Sequence, residues 1–497
     1  MSKPGIFATL PVAELQRDYG RIGLNRTLGA GALTALGIGA TIGTGIFVLT
    51  GTVAAAHAGP AIVLSFIVAG LGCVFAGLCY AEFASMVPVA GSAYAYSYAT
   101  LGEFVAWFVG WNLVLEYLFA AATVAVGWSR YFVTLLETFH INFLPASLTS
   151  SPLNTVGDTT HIVTTGAWIN LPAVFIVLLM TYICYVGIRQ SARVNNLVVA
   201  IKVTIVVAVI AFGAFYVNPA NWHPFIPPNT GTFGSFGWSG VLRGSGIIFF
   251  AYVGFDAVST AAQEAKNPSR DMPTGILGGL AICTVLYILM AGVLTGLLAY
   301  PLLNDAAPVA VALAGHPQLS WLRTWVIVGA LAGLTSVILV QMLAQARIFL
   351  SMARHGLLPP ALGAVHPRFR TPYVATLLVG AAATLAGGLL PLGLLGELVS
   401  IGTLIAFIVV CVGVLVLRRT QPDLPRPFRV PAVWPVALAG VAFCLLMVVF
   451  LPLGTWVRLI VWTALGLAIY WGYGYRHSRL RSVAEPVSPE RPAESVP

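Results

Sequence analysis

Apolar runs recur along this 497-residue chain, and short polar segments separate them. A helix needs about 20 apolar residues to cross the hydrocarbon core of a bilayer. Runs of that length predict twelve membrane-spanning helices, and the longest polar stretch, 138–167, is predicted to be an external loop. The twelve spans are placed at residues 28–57, 60–86, 101–134, 168–188, 195–217, 238–263, 273–299, 322–350, 372–390, 393–417, 433–452 and 455–475.

Composition and charge favour a membrane protein. Only 8% of the residues are charged and 58% are hydrophobic, whereas soluble proteins carry about 25% charged residues. A net charge of +9 can indicate a nucleic-acid partner, but the charges lie between apolar runs, so we exclude nucleic acid and expect a lipid bilayer. All six cysteines lie within apolar segments without a C-x-x-C pair, so we expect buried thiols rather than a redox or metal site.

The distribution of basic residues predicts the orientation. With the N-terminus inside, 20 of the 25 Lys and Arg residues fall in segments on the cytoplasmic side. Segments rich in Lys and Arg remain in the cytoplasm. We therefore expect both termini to be cytoplasmic in a cell (inner) membrane. No removable signal peptide is predicted in the first 27 residues, because no apolar core there precedes a cleavage site.

Two predicted spans contain glycine interruptions near their centres. The first reads GIGATIGTG over residues 37–45, and each glycine weakens a helix by about 1 kcal/mol relative to alanine. The sixth reads FFAYVGFDA over residues 249–257. Close packing of small residues between helices would explain glycines alone. Corresponding interruptions in two halves of a chain, however, are typical of transporters with a substrate site at the midplane.

The five-span separation of the interruptions predicts an inverted repeat. The first five-helix repeat would occupy residues 28–217 and the second 238–417, with two additional helices at 433–475. The segment 1–27 is expected to be cytoplasmic. The segment 476–497, rich in Pro, Glu and Arg, is expected to be a disordered cytoplasmic tail.

Interrupted helices offer binding groups of both signs. Free N–H groups at the start of a half-helix carry positive dipole potential and suit a carboxylate. The carbonyls that a break leaves free suit an ammonium group. A site with both ends fits the zwitterion of an α-amino acid.

The chain resembles the amino acid–polyamine–organocation (APC) superfamily, and within it the cationic amino acid transporter family and its bacterial proton-coupled members. The resemblance rests on IGATIGTGIF at 38–47, FFAYVGFD at 249–256, AQEAKNPSRDMP at 262–273 and RIFLSMARHGLLP at 347–359. It implies an all-α membrane protein with twelve transmembrane helices in a LeuT-like 5+5 inverted repeat, with helices 1 and 6 interrupted. It also implies a secondary active transporter that imports amino acids by proton symport with alternating access.

The resemblance implies particular site residues. The substrate carboxylate would meet Thr44 and Gly45. Leu334 would form part of the side-chain pocket, where a bulky apolar residue would favour a small neutral amino acid over arginine or lysine. The substrate amino group would meet backbone carbonyls at the two breaks, those of Ile42, Phe250, Ala251 and Val253.

Lys202 is predicted to be deeply buried. It lies nine residues beyond Arg193, about 13 Å along a helix, whereas a lysine stem reaches about 6 Å. A charge at the bilayer centre costs about 3 kcal/mol, so Lys202 needs a partner or a hydrated cavity, and a structural ion pair is one solution. The resemblance places Lys202 where sodium-coupled relatives of the fold hold a cation between spans 1, 5 and 8, and it implies a proton-coupling role.

Glu116 and Asp256 are also predicted to lie far from either surface. Together they exceed Lys202 by one negative charge. One of them could pair with a cationic substrate side chain or carry protons, while the other has only a structural role within the helix bundle. The sequence is equally compatible with purely structural roles for both acids. The segment Glu264–Pro273 is compatible either with a latch at the cytoplasmic entrance or with a solvated loop.

Other functional classes have less support in the sequence. An amino acid/polyamine exchanger and a sodium-coupled symporter are the transport alternatives. An intramembrane enzyme would need clustered His, Ser, Cys or paired acids at one depth, and none is visible. No H-x-x-x-H cluster or G-x-x-x-x-G-K-[ST] loop occurs, so no metal, nucleotide or other cofactor is predicted. The sequence leaves open a small accessory membrane subunit.

Overall fold

A helix lies at each of the twelve predicted spans in the computed structural model, which describes residues 5–12, 14–15, 27–87, 91–141, 143–156, 161–187, 192–305 and 307–482. We number one helix in each span. They are α1 Ala30–Thr41, α2 Ile62–Met86, α3 Glu103–Thr138, α4 Leu171–Val186, α5 Ala192–Gly213, α6 Gly237–Ile248, α7 Pro268–Leu297, α8 Ser320–Arg354, α9 Tyr373–Leu389, α10 Leu392–Thr420, α11 Val433–Phe450 and α12 Leu453–Ile469.

Nine helical stretches within the described residues are long and apolar enough to cross a membrane. The helices α1, α4 and α9 are shorter, with 12, 16 and 17 residues. In the case of α1 the reason is local, because the helix breaks at Ile42 and the helical chain that resumes at Gly45 runs on to Met86. These helices are those of a multi-pass membrane protein.

The first span is interrupted where its glycines cluster. The helix α1 ends at Thr41, and Ile42 has an extended backbone with φ −71° and ψ 98°. Helical structure resumes as a wide π-turn over Gly45–Leu49 and continues through Thr50–Val53 to Ala54–Ala58. Glycine costs more backbone entropy in a helix than any other residue, which explains why the break occurs here.

The sixth span is interrupted at Val253 and Gly254. The helix α6 passes into a 3₁₀ turn over Phe249–Tyr252, and Val253 is extended with ψ 129°. Gly254 has φ +121°, a conformation that side chains disfavour, and a Cβ there would lie 2.6 Å from the Ala40 carbonyl oxygen. The span resumes as a 3₁₀ helix over Asp256–Glu264.

The two interrupted spans cross in direct contact. A Cβ at Gly45 would lie 2.2 Å from the Cα of Ala251, so only glycine permits this approach. At one end of the crossing a backbone bridge joins Leu28 to Ala265. We call this end the terminal face, because the described terminal segments pack there. At the opposite end the N–H of Phe236 donates to the carbonyl of His57 at 2.8 Å.

Three elements between the spans carry no apolar run of spanning length. A short helix, Ser92–Thr100, lies between α2 and α3 and is buried throughout. The predicted external loop contains a hairpin of β1 Leu153–Val156 and β2 His161–Thr164, with Leu153 paired to Thr164. A second short helix, Pro308–Ala314, precedes α8 and packs against Gly51.

Residues 476–482, which belong to the predicted C-terminal tail, are described by the structure and contain two short helical segments. Ser478 and Arg481 are buried, because both contact the carboxylate of Glu103 at the start of α3. The remainder, 483–497, lies outside the described residues. The predicted burial of the six cysteines is confirmed.

Candidate functional site

Thr44 and Gly45 lie where the two interrupted spans cross. Thr44 is fully buried, and its hydroxyl has no hydrogen-bond partner among the described residues. Its side chain faces Gly127 of α3, where a Cβ would lie 3.1 Å from the Thr44 Oγ1. A small residue on α3 therefore makes room for Thr44, and no pattern in the sequence predicted this contact.

The four carbonyls proposed for the substrate amino group lie at the two breaks. The Ile42 carbonyl accepts a hydrogen bond from the Lys202 ammonium at 3.0 Å, and the Phe250 carbonyl accepts one from the N–H of Val253 at 3.1 Å. A carbonyl oxygen has two lone pairs, so both can accept a second bond. Ala251 lies in the same turn and contacts Gly45.

Lys202 caps the end of α1. It is fully buried, and its Nζ donates to the carbonyls of Gly39 at 2.7 Å and Ile42 at 3.0 Å. No carboxylate within the described ranges lies at ion-pair distance, so a structural ion pair does not account for it there. The carbonyl end of a helix carries negative dipole potential, which favours an ammonium group. The lysine stem packs on Gly333 of α8, so Lys202 joins α1, α5 and α8.

Two tyrosines satisfy other carbonyls of the first span. The hydroxyl of Tyr287 on α7 donates to the Thr41 carbonyl at 2.8 Å. The hydroxyl of Tyr131 on α3 donates to the Phe47 carbonyl at 2.8 Å. Neither residue stands out in the sequence, because a tyrosine in an apolar helix is usually a packing residue. A buried tyrosine hydroxyl does, however, need a hydrogen-bond partner.

The buried acids Glu116 and Asp256 lie side by side, and both are fully buried. The hydroxyl of Tyr117 donates to the Asp256 carboxyl group. Glu116, on α3, also faces the hydroxyl of Thr403 on α10. The structure thus brings together two acids that are 140 positions apart in sequence, and it places neither beside the Lys202 ammonium, whose acceptors are backbone carbonyls.

Leu334 and the nearby Ser336 in span 8, and Tyr252 in span 6, are all buried. Leu334 is fully buried on α8, next to the Gly333 that contacts Lys202. The hydroxyl of Ser336 donates to the Gly333 carbonyl of its own helix at 2.9 Å. The hydroxyl of Tyr252 donates to the Phe66 carbonyl at 2.9 Å, which fixes its ring in the packing of α2.

The segment Glu264–Pro273 contacts the bundle at the terminal face through Glu264 rather than through its basic side chains. The side chains of Lys266 and Arg270 are exposed. Instead, the Glu264 carboxylate pairs with Arg347 of α8 at 3.5 Å. The Glu264 carbonyl also accepts the N–H of Leu28 at 2.9 Å. At the opposite end of the bundle Arg130 pairs with Asp305 at 3.3 Å.

The chain is similar to transporters over nearly its whole length. The family model for amino acid permeases matches residues 28–471. A branched-chain amino acid permease, BcaP, of Bacillus subtilis (strain 168) is 46% identical over 462 residues, covering 93% of this chain and 96% of that protein. A methylthioribose transporter of the same organism is 45% identical, covering 96% and 99%. The vacuolar cationic amino acid transporter 4 of Arabidopsis thaliana is 38% identical, covering 80% and 64%.

The matched range contains every residue of the site described above, from Gly39 to Thr403. It includes both breaks, the buried lysine and the buried acid pair. The resemblance inferred from the sequence motifs is thereby confirmed, and the chain belongs to the amino acid permease family of the APC superfamily.

Proposed function

We propose that the chain imports neutral aliphatic amino acids across the cytoplasmic membrane by proton symport. One observation carries the proposal: the buried Thr44 hydroxyl, without a partner among the described residues, lies at the start of the half-helix that begins at Gly45. The first N–H groups of a helix have no intrahelical acceptor and favour an anion. A substrate carboxylate would satisfy both the N–H groups and the hydroxyl.

The side-chain preference is supported by α8. Leu334 is apolar and fully buried, so a substrate side chain that packs against it would make apolar contact. An aliphatic side chain gains stability from apolar contact, whereas a guanidinium group would lose its hydration. The relative named as a branched-chain amino acid permease is consistent with this preference.

A second candidate substrate is methylthioribose, because a relative with 45% identity over almost its entire length is named as its transporter. A thiosugar carries no carboxylate or ammonium group. A site at the breaks that requires both charged groups of a zwitterion would therefore accept an amino acid and reject methylthioribose. Competition of unlabelled methylthioribose against leucine uptake tests this, and we expect leucine, isoleucine and valine to compete far better.

Proton coupling is proposed to involve Lys202. When protonated, its ammonium holds the Gly39 and Ile42 carbonyls at the end of α1. When Lys202 loses this proton, its side chain becomes neutral. Its hydrogen bonds to the two carbonyls then weaken, and so does the link between α1 and α5. Glu116 and Asp256 supply a second candidate, since two adjacent buried carboxyl groups repel when both are ionised and can share a proton. An exchanger or a sodium symporter would need no proton gradient.

The architecture that we propose is twelve spans in a LeuT-like 5+5 inverted repeat, with alternating access around the crossing of the two interrupted spans. The repeats are residues 28–217 and 238–417, followed by two helices at 433–475. The terminal face is proposed to be cytoplasmic, because most basic residues fall on its side.

Thr44→Val is expected to raise the KM for leucine about tenfold. Valine has the shape of threonine but cannot donate a hydrogen bond, and a bond to a charged group contributes about 1.5–3 kcal/mol. Each 1.4 kcal/mol corresponds to about a factor of ten in affinity. Initial uptake rates in proteoliposomes measure the effect. Thr44→Ser is the matched control, because it keeps the hydroxyl. An unchanged KM in Thr44→Val would show that the hydroxyl does not contact substrate.

Each interrupted span has one half between its break and the terminal face, which we call its terminal half. The backbone bridge between Leu28 and Ala265 predicts that the terminal halves of spans 1 and 6 move together. A disulfide between cysteines at these two positions is therefore expected to leave at least half of the uptake rate. Linking cysteines at Glu264 and Arg347 with a short bifunctional reagent joins span 6 to α8 and is expected to stop transport. Uptake before and after reduction or linking measures both effects. Arrest by the 28–265 disulfide would show that the two halves separate.

A further inference from the structure

The short helix Ser92–Thr100 covers the terminal half of span 6. All nine of its residues are buried, although it lies between two spans. On its inner side the Tyr96 hydroxyl faces that of Ser259 in span 6. The Tyr96 ring stacks on Phe83 of α2 with centroids 4.9 Å apart. Any opening of the terminal face beside span 6 must therefore displace or carry this helix.

The outer side of the same helix is held by other elements. The Tyr94 hydroxyl is hydrogen-bonded to the Nδ1 of His355, at the end of α8, at 2.8 Å. The Tyr98 hydroxyl donates to the Glu103 carboxylate at 3.2 Å. The N–H of Leu10, in the N-terminal segment, donates to the Tyr98 carbonyl at 3.1 Å. These contacts tie the short helix to the ends of α3 and α8.

The C-terminal segment Tyr475–Ser482 completes this enclosure. The Arg481 guanidinium donates to the Glu103 carboxylate at 2.9 Å, and the Ser478 hydroxyl donates to the same carboxylate. The exposed fractions of Glu103 and Arg481 are only 1% and 8%. The Arg479 N–H donates to the His355 carbonyl at 3.0 Å. The segment therefore binds both Glu103, at the start of α3, and His355, at the end of α8. These are the residues that bind Tyr98 and Tyr94 of the short helix.

We propose that Tyr475–Ser482 is a strap that holds the helix Ser92–Thr100 against span 6 and restrains opening of the terminal face. The Glu103–Arg481 pair is its anchor. Because both charges are buried, removing one leaves the other without its counter-charge and weakens the hold on the segment. Release would loosen the short helix, expose the terminal half of span 6 to water and shift the protein toward the state open at this face. This role goes beyond substrate binding and coupling, and it depends on the proposed function only for its effect on transport.

Accessibility of a cysteine at Ser259 tests the strap directly. Ser259 is fully buried beside Tyr96, and the native cysteines are buried too, so the unmodified protein supplies the background. In the Ser259→Cys protein, Arg481→Gln is expected to raise the rate of labelling by a membrane-impermeant maleimide about tenfold. That factor corresponds to loss of one hydrogen bond to a charged group. Arg476→Gln, an exposed arginine in the same segment, is the matched control and should leave the rate unchanged.

Two further measurements keep the result decisive. Thermal unfolding of each variant shows whether faster labelling reflects local release or global unfolding. If Arg481→Gln does not yield folded protein, Ser478→Ala removes a single hydrogen bond to the Glu103 carboxylate and should likewise raise labelling about tenfold. If the variants are folded and the cysteine at position 259 is labelled at an unchanged rate, the strap proposal is wrong. Labelling needs neither substrate nor protons, so a failure of the proposed transport function would leave this result standing.

Discussion

Lys202→Ala is expected to abolish proton-driven accumulation of leucine while leaving exchange of preloaded substrate. The ammonium of Lys202 bonds the carbonyls of Gly39 and Ile42, and an alanine can neither make these bonds nor carry a proton. A charge that crosses 100 mV releases about 2.3 kcal/mol, enough for roughly 50-fold accumulation of a neutral substrate. Without coupling, the internal and external concentrations of leucine should become equal.

Radiolabelled leucine uptake into sodium-free proteoliposomes, under an inward proton gradient, measures this loss. Lys266→Ala is the matched control, because it removes an exposed lysine at the terminal face. Accumulation that persists in Lys202→Ala and still collapses with a protonophore would transfer the coupling role to the acid pair. Glu116→Gln would then be the variant to lose accumulation. Exchange without net accumulation in the unmodified protein would instead favour an exchanger.

Gly45→Ala is expected to lower the initial uptake rate by at least about tenfold. The new Cβ would lie 2.2 Å from the Ala251 Cα, whereas carbon atoms in contact are about 3.5–4.0 Å apart. The atom it meets belongs to the backbone, so a rotamer change cannot relieve the clash. Overpacking typically costs about 1–3 kcal/mol, and here it separates the two breaks that form the proposed site.

Gly31→Ala is the matched control for this substitution. Gly31 is exposed near the start of α1, and a Cβ at this position would meet no atom outside its own stretch of helix within 4 Å, so alanine should be tolerated there and favour the helix. Uptake rates and thermal unfolding should be compared for the two variants. Normal uptake by folded Gly45→Ala would show that the close crossing is not needed for transport.

Some features of this protein could be predicted from the local sequence. Each long apolar run became a helix near its predicted position, because a run of spanning length must satisfy its backbone hydrogen bonds internally. The breaks at Ile42 and Val253 followed from glycines in otherwise apolar helices. The burial of Lys202 followed from its distance to the nearest polar segment.

Other features required the tertiary structure. The spacing along the chain could not show that Glu116 and Asp256 are adjacent, because they lie on different spans. It also could not show that Thr44 faces Gly127, since both are small residues in apolar runs. The packing of Ser478 and Arg481 was unexpected, because a polar composition gives no sign of one buried acid that binds both.

The membrane environment, the helix positions, the two interruptions and the family could all be predicted from the chain alone, because they depend on local composition and short motifs. Which groups meet could be learned only from the folded protein. It gave Lys202 two backbone carbonyls as partners, and it tied the C-terminal segment to Glu103. These contacts could not be predicted because hydrogen bonds and ion pairs act over a few ångströms, whereas the residues that form them are separated by up to hundreds of positions.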